Sequence, residues 1–294
     1  MVEPEPAVEV SEPVAAERPR FWRHLLRNRG AAASLGLLAV FVLVAAGAQW
    51  IAPYNPNAQN LLAALQPPSA LHLLGTDEYG RDVLSRLLFG ARTALLAAVA
   101  VVAVSMVAGA VWGLASAYYG GWVDTLLMRV VDVFMAFPFL LLALMIVAAL
   151  GSGVVQAVIA VAISYMPVYA RLVRGVALGL KELDFVQAAR SLGAPGGWIM
   201  RRHLVPNLVG PIIVQATLNM GTAIIDISGL SFLGMGVQPP QSDWGAMLAD
   251  AQTYILQAEW LVLAPGLAIL LVVLAFNLFG DGLRDALDPR VERH

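Results

Sequence analysis

Six long apolar runs decide what this chain can fold into. They lie near residues 31–51, 93–118, 129–150, 153–170, 208–234 and 259–280. Each approaches or exceeds the roughly 20 apolar residues that a helix needs to cross a hydrocarbon core about 30 Å thick. Composition agrees, because 59% of the residues are hydrophobic and 13% are charged, where a soluble domain carries roughly 25% charged residues. A chain this apolar cannot cover itself with polar surface, so lipid is its main solvent. The expected fold class is an all-α polytopic membrane protein with six transmembrane helices.

The ends of the chain read differently. Residues 1–17 alternate Glu with Pro, Val and Ala, a composition that buries no core and predicts a disordered tail. From Arg18 to Arg29, five arginines interleave with Phe21, Trp22, Leu25 and Leu26, which suits a basic elbow helix lying on an anionic leaflet. This gives a tail plus elbow over 1–30, a first span over 31–51 and an extracytoplasmic loop with an amphipathic helix over 52–92. A five-span core over 93–285 and a tail over 286–294 complete the chain. Ala46-Gly47-Ala48 resembles a leader cleavage site, but the segment before it and the apolar run are both too long for a signal peptide. Basic residues set the orientation. With the N-terminus inside, Arg129, Arg171, Arg174, Lys181, Arg190, Arg201, Arg202, Arg284, Arg290 and Arg293 join the first five arginines in the cytoplasm. Only Arg81, Arg86 and Arg92 remain outside, so both termini are expected to be cytoplasmic.

The segment with mechanistic content is the loop 171–207. Within it, Asp184 and Gln187 form a capping-box pattern, helix-forming residues follow to Leu192, Gly193 suits the left-handed position after a helix, and Pro195 stops continuation. The spacing predicts a capped helix of about eight residues, marginal by itself in water, where isolated helices need roughly 12–15 residues. It must dock on the chain's own helix ends or on a partner in the cytoplasm.

The run Gln187-Ala188-Ala189, then Gly193, then Val205-Pro206 resembles the Glu-Ala-Ala loop of permease subunits in binding-protein-dependent ABC importers. Gln187 and Val205 stand where that pattern has Glu and Leu. Leu74-Gly75-Thr76-Asp77 with Gly80-Arg81-Asp82-Val83 and Ser85-Arg86 resembles the segment before the second span in dipeptide, oligopeptide, nickel and glutathione permeases. Gly229-Leu230-Ser231-Phe232-Leu233-Gly234 with Trp244-Gly245, and Asn277 to Asp285, are similar to further segments of their second, C-type subunit. The resemblance implies the permease fold of type I ABC importers. It also implies a non-catalytic subunit that pairs with a second homologous permease, two ABC ATPases and an extracytoplasmic substrate-binding protein. ATP and Mg would be bound by the ATPases and no cofactor by this chain. Asp184, Phe185, Gln187, Ala188, Ala189, Arg190, Gly193 and Pro206 would then lie at the ATPase-coupling interface, and Gly80, Arg81, Asp82 and Arg86 in an outer elbow. The implied cargo is a small solute, with a di- or oligopeptide the first choice.

Other residues are read directly. Asp82 and Arg86 stand i,i+4 on a short amphipathic helix, where a surface ion pair contributes only about 0.2–0.5 kcal/mol. Asp226, with Ser228 nearby, falls within the fifth span and is expected to face a polar interior on the translocation path. Asp132 sits near a membrane edge as a solvated or arginine-paired acid. Gly109 and Gly113 form a GxxxG pattern; Pro211 opens the fifth span and Pro265 kinks the sixth. The four histidines are scattered, cysteine is absent, and the single lysine, Lys181, lies in no phosphate-binding loop. No catalytic or metal constellation stands out, and no nucleic acid partner is expected. The competing class is a stand-alone secondary transporter or channel built around Asp226.

Overall fold

The computed structural model describes residues 28–287. The expected tail and nearly all of the basic elbow, like the final residues from 288, lie outside the described residues. Among the described residues the chain is helical, with one isolated bridge between Thr76 and Asp82. The helices are α1 (Arg29–Ile51), α2 (Val83–Tyr119), α3 (Gly121–Met135), α4 (Phe139–Leu150) and α5 (Val154–Lys181). They continue with α6 (Asp184–Ser191), α7 (Gly196–Ile199), α8 (Val205–Phe232), α9 (Trp244–Ala251) and α10 (Trp260–Leu287). A π-helical turn over Met200–Leu204 joins α7 to α8 without a break.

Five helical runs are long and apolar enough to cross a membrane: α1, α2, α5, α7 with α8, and α10. The third expected span, near 129–150, is a bent pair of helices rather than one straight helix. α3 and α4 meet at 94°. Pro138 is the cause: it offers no N–H to a helix passing through and disfavours helical backbone at Phe137. The 12 residues of α4 reach about 18 Å, short of a hydrocarbon core about 30 Å thick.

α2 shows a second difference. The short amphipathic helix expected near residue 83 is the first turns of α2 itself, a continuous helix of 37 residues, about 55 Å long. Asp82 caps it, accepting from the Ser85 N–H at 2.8 Å and the Ser85 hydroxyl at 2.7 Å. At the other end, Gly120 and Gly121 both adopt positive φ and turn the chain into α3.

The bundle is organised on the crossing of α2 and α5, which pack together more extensively than any other pair. Gly109 and Gly113 make it possible. A Cβ on Gly109 would lie 2.5 Å from the Tyr169 Cβ, and one on Gly113 would lie 2.3 Å from the Ala170 carbonyl oxygen. Backbones therefore touch, the arrangement that small residues permit where lipid provides no hydrophobic drive between helices. Around this crossing α8 and α10 pack on each other, and α1 lies across α2 and α10. α1 buries one side through Ala31, Ser34, Leu38, Ala45 and Ala48 and leaves the rest, including Val40, Val42 and Leu43, outward. Pro211 lies inside α8 rather than at its start, and Pro167 lies inside the continuous α5.

The glycine crossing carries a direct test. Gly113→Ala should destabilise the detergent-extracted protein by about 1–3 kcal/mol, the usual cost of overpacking. Gly36→Ala, where no atom lies within 4 Å of the added methyl, should be neutral or slightly stabilising. Thermal unfolding of the two variants side by side reads the difference.

Candidate functional site

α6 projects from one end of the bundle on the C-terminal end of α5. The long loop begins later than expected, since Arg171 and Arg174 still belong to α5, which continues to Lys181. α6 spans eight residues, and its start differs from a capping box. Leu183 takes the cap position, its carbonyl accepting from Gln187 N–H at 3.1 Å, and Asp184 already has helical backbone. The Gln187 side chain donates instead to the Lys181 carbonyl at 2.8 Å, tying α6 back to the end of α5. The other end is as expected. Gly193 has φ of 80°, its N–H donates to the Arg190 carbonyl at 3.0 Å, and the Ala194 N–H donates to the Ala189 carbonyl at 3.1 Å. That pair of bonds is a Schellman ending.

The two faces of α6 have different company. Val186 is buried against the bundle, and a cavity of about 140 Å³ behind it is lined by Tyr118, Lys181, Arg190 and Leu204 among others. Lys181 donates to the Ala117 carbonyl at 2.7 Å, in the last turn of α2, where unpaired carbonyls favour a cation. On the opposite face Phe185, Ala188 and Leu192 are exposed, Leu192 to 87%. Ala189 is half-buried beside them and Asp184 is exposed at the start of the helix, whereas Arg190, though exposed, lies on the Val186 side at the cavity. Phe185 and Trp198 both stack near His203, at ring separations of 5.4 and 5.1 Å. Pro206 sits in the first turn of α8, exposed. Leu192, Trp198 and His203 were not singled out by the sequence; their exposure depends on how α6 and α7 dock.

Ion pairs hold α3 to α5 at this end. Arg174 grips Asp124 with two bonds of 2.6 Å, and Ser116 also donates to Asp124. Arg171 pairs with Asp132 at 2.7 Å, both half exposed, so Asp132 is an arginine-paired acid.

Asp226 lies on α8 and accepts from the Tyr165 hydroxyl of α5 at 2.5 Å. It belongs to a polar stripe, Gln215, Asn219, Thr222 and Asp226, at helical spacing along one side of α8. Gln215 donates to Asn219 at 2.9 Å, and the buried Tyr169 of α5 sits beside Asn219 and Ser105. Ser228 is elsewhere. It is buried on another side of α8, where a Cβ on Gly245 would meet its carbonyl at 2.1 Å.

At the end of the bundle opposite α6, the expected outer-elbow residues Gly80, Arg81, Asp82 and Arg86 are all buried. Asp82 and Arg86 do not pair: Asp82 is engaged as the cap of α2 and meets His72 at 2.9 Å, while Arg86 reaches Asp77 at 3.5 Å. Arg81 bonds Asp77 at 2.5 Å and Glu78 at 3.0 Å, and stacks over Tyr79. Gly80 has φ of 70°, and a Cβ there would overlap the Asn60 carbonyl. Burial pushes the Glu78 and Asp250 carboxyls above the usual carboxylate range.

Known proteins can now be set beside this geometry. Residues 105–293 match the family model of the binding-protein-dependent transport system inner membrane component. The chain belongs to that family. Residues 19–68 match the N-terminal transmembrane domain of oligopeptide transport permease C. The chain is 46% identical over 278 residues to the di/tripeptide transport system permease protein DppC of Pseudomonas aeruginosa, covering 92% of each. It is 44% identical over 271 residues to the dipeptide transport system permease protein DppC of Alkalihalophilus pseudofirmus, covering 92% of this chain and 89% of that one. It is 45% identical over 273 residues to the glutathione transport system permease protein GsiD of Pectobacterium atrosepticum, covering 92% and 91%. The protein is therefore a multi-pass inner-membrane permease subunit of the ABC peptide and glutathione importer family, without catalysis of its own. Membership of this permease family decides against a stand-alone transporter.

The Tyr165–Asp226 bond links α5 to α8 inside the permease. Tyr165→Phe should destabilise the protein by about 1–3 kcal/mol, because a half-buried carboxylate loses its donor. Adding Asp226→Asn should recover part of that loss, and thermal unfolding of the single and double variants reports both.

Proposed function

We propose that this permease forms half of the path by which a di- or oligopeptide enters the cell, and that α6 is the element through which ATP hydrolysis elsewhere drives the path open and shut. The observation that carries the reading is the two-faced mounting of α6. One face is held to the bundle by the burial of Val186 and by the Gln187 bond to the Lys181 carbonyl at the end of α5, itself tied to α2; the other presents Ala188, Leu192 and the outer part of Phe185, whose ring is backed by His203. Exposed large apolar side chains on a short helix outside the spans suit a protein groove. The occupant is an ATPase subunit, one of two, holding ATP and Mg. The second half of the path is a homologous permease, and a soluble binding protein delivers the solute at the opposite end.

Charge distribution supports placing α6 in the cytoplasm, with both termini on that side. Arg129, Arg171, Arg174, Lys181, Arg190, Arg201, Arg202 and Arg284 fall toward the α6 end, whereas two of the three arginines at the opposite end, Arg81 and Arg86, are buried against acids. Peptide as cargo rests on the relatives whose names carry dipeptide and di/tripeptide transport. The partly exposed stripe Gln215, Asn219, Thr222 and Asp226 is the part of α8 suited to a polar solute, and Asp226 lines the path there.

Gly193 provides the test. No atom lies within 4 Å of a Cβ at this position, so a substitution acts through backbone conformation alone. Gly193→Val opposes the left-handed φ and should reduce transport-coupled ATPase activity of the assembled complex at least about fivefold, from roughly 1–2 kcal/mol of added strain at that residue. Gly193→Asn, which tolerates that conformation, should retain most of it. Wild-type coupling in Gly193→Val would refute the assignment of α6.

A further inference from the structure

At the end of the bundle opposite α6, a cleft of about 700 Å³ opens between the end of α1, the third turn of α2 and the loop before α9. Gln49, Asn55, Arg92, Thr93, Gln241 and Ser242 contribute its polar wall, and no Asp or Glu lines it. Its one cation, Arg92, is exposed and makes no ion pair with any described acid, unlike Arg81 and Arg86 at the same end of the bundle. Ser242 is 4% exposed, and its hydroxyl oxygen finds no partner among the described residues. The cleft thus holds an unused charge and an unused hydroxyl.

Its depth in the membrane follows from its walls. Gln49 and Arg92 line the same space, so Trp50, the neighbour of Gln49 and 77% exposed, stands at about the level of Arg92. Exposed tryptophans on spanning helices mark the headgroup belt. Arg92 and Thr93 are also the last polar residues of α2 before the apolar run that begins at Ala94. Below Arg92 on the same side of α2, Leu96 and Val99 are exposed at 61% and 52%, at helical spacing. Below Gln49 on α1, Ala46 and Val42 are exposed likewise. A cationic cleft at headgroup level thus stands directly over an outward apolar strip.

We infer that this cleft seats the headgroup of one phospholipid, its phosphodiester against the Arg92 guanidinium and its acyl chains along Leu96 and Val99. A guanidinium presents paired N–H donors matched to two phosphate oxygens. Thr93 and the amides of Asn55 and Gln241 offer further donors for headgroup oxygens. An ammonium headgroup would find no carboxylate in the cleft, so an anionic lipid such as phosphatidylglycerol is preferred over phosphatidylethanolamine. Inorganic phosphate shares the recognition chemistry but gains nothing from the apolar strip.

The test uses the complete transporter, extracted with its partner subunits in mild detergent and followed by native mass spectrometry. Delipidated wild-type complex titrated with phosphatidylglycerol should take up one tightly held lipid, in preference to phosphatidylethanolamine. Arg92→Gln should lower that occupancy at least about fivefold, the loss of one charge-assisted contact, while Arg92→Lys keeps most of it and subunit stoichiometry stays unchanged in both. Equal occupancy in wild type and Arg92→Gln would overturn the inference. So would millimolar inorganic phosphate binding with the same dependence on Arg92 as the lipid, or equal retention of the two lipids by wild type. If Arg92→Gln instead impaired stimulation by the binding protein while lipid occupancy held, the cleft would be a protein contact and the lipid assignment would fall. Because none of the lipid readouts involves transport, failure here leaves the role of α6 untouched.

Discussion

Backbone contact between α2 and α5 at Gly109 and Gly113 is the constraint on which the rest of this permease depends. Lipid provides no hydrophobic force to hold two apolar helices together, so close van der Waals approach must do it. With no side chain at Gly109 and Gly113, the two axes come near enough for the α2 backbone to meet α5 at Met166, Tyr169 and Ala170. The polar side of α8, the bend after α3 and α6 all connect through α5. Tyr165 reaches Asp226 on α8, and the same ring packs on Phe139 at the start of α4, beside the 94° bend. About two turns further, Arg171 and Arg174 hold α3. At its end, Lys181 and its carbonyl anchor both α2 and α6. A push on α6 is therefore delivered to a member that touches the polar side of α8 and the bend between α3 and α4.

The polar groups obey the same economy at both ends. Charges at the α6 end are partly exposed and paired across helices, where water screens them and mutual attraction is modest. Those opposite are buried as a set: Asp77, Arg81, Asp82 and Arg86 are each no more than 6% exposed. Buried ions must be mutually satisfied, since removing one partner strands the other at several kcal/mol. That network, with Trp260 donating to the Thr76 carbonyl and Trp244 to the Leu87 carbonyl, fastens the connecting loops to the helix ends. The loops at this end are thus fastened to the helix ends, in contrast to the projecting α6.

Much of this was legible in the sequence, and the failures have local causes. Spans announce themselves by apolar length, so five of six stood near their expected places. The stretch at 129–150 is there as well, but as a pair of helices bent by 94°, because hydropathy records that it is apolar and is blind to the angle that Pro138 imposes. The end of α6 could be read from Gly193 and Pro195, since a left-handed residue and a missing N–H act within one turn. Its start could not: Asp184 and Gln187 have capping-box spacing, but Leu183 took the cap and Gln187 found a better acceptor in the Lys181 carbonyl. Helical spacing likewise suggested a pair between Asp82 and Arg86. Asp82 was already committed to Ser85 and His72, and Arg86 turned to Asp77, a residue that only the folded loop brings near. Asp226 could be singled out as a costly charge in a span, but its stripe partners Gln215, Asn219 and Thr222 are uncharged and raise no alarm. Leu192 gave no signal either, because an apolar residue at a helix end becomes informative only when the fold leaves it uncovered.

The most direct measurement of the central claim is site-specific photocrosslinking from position 192 in native membranes. A photoreactive residue replacing Leu192 should yield one dominant adduct, with an ATPase subunit carrying a phosphate-binding loop, and the yield should change on nucleotide addition. Adducts confined to lipid or to this chain itself would contradict the account of α6 as the point where ATP hydrolysis meets the permease.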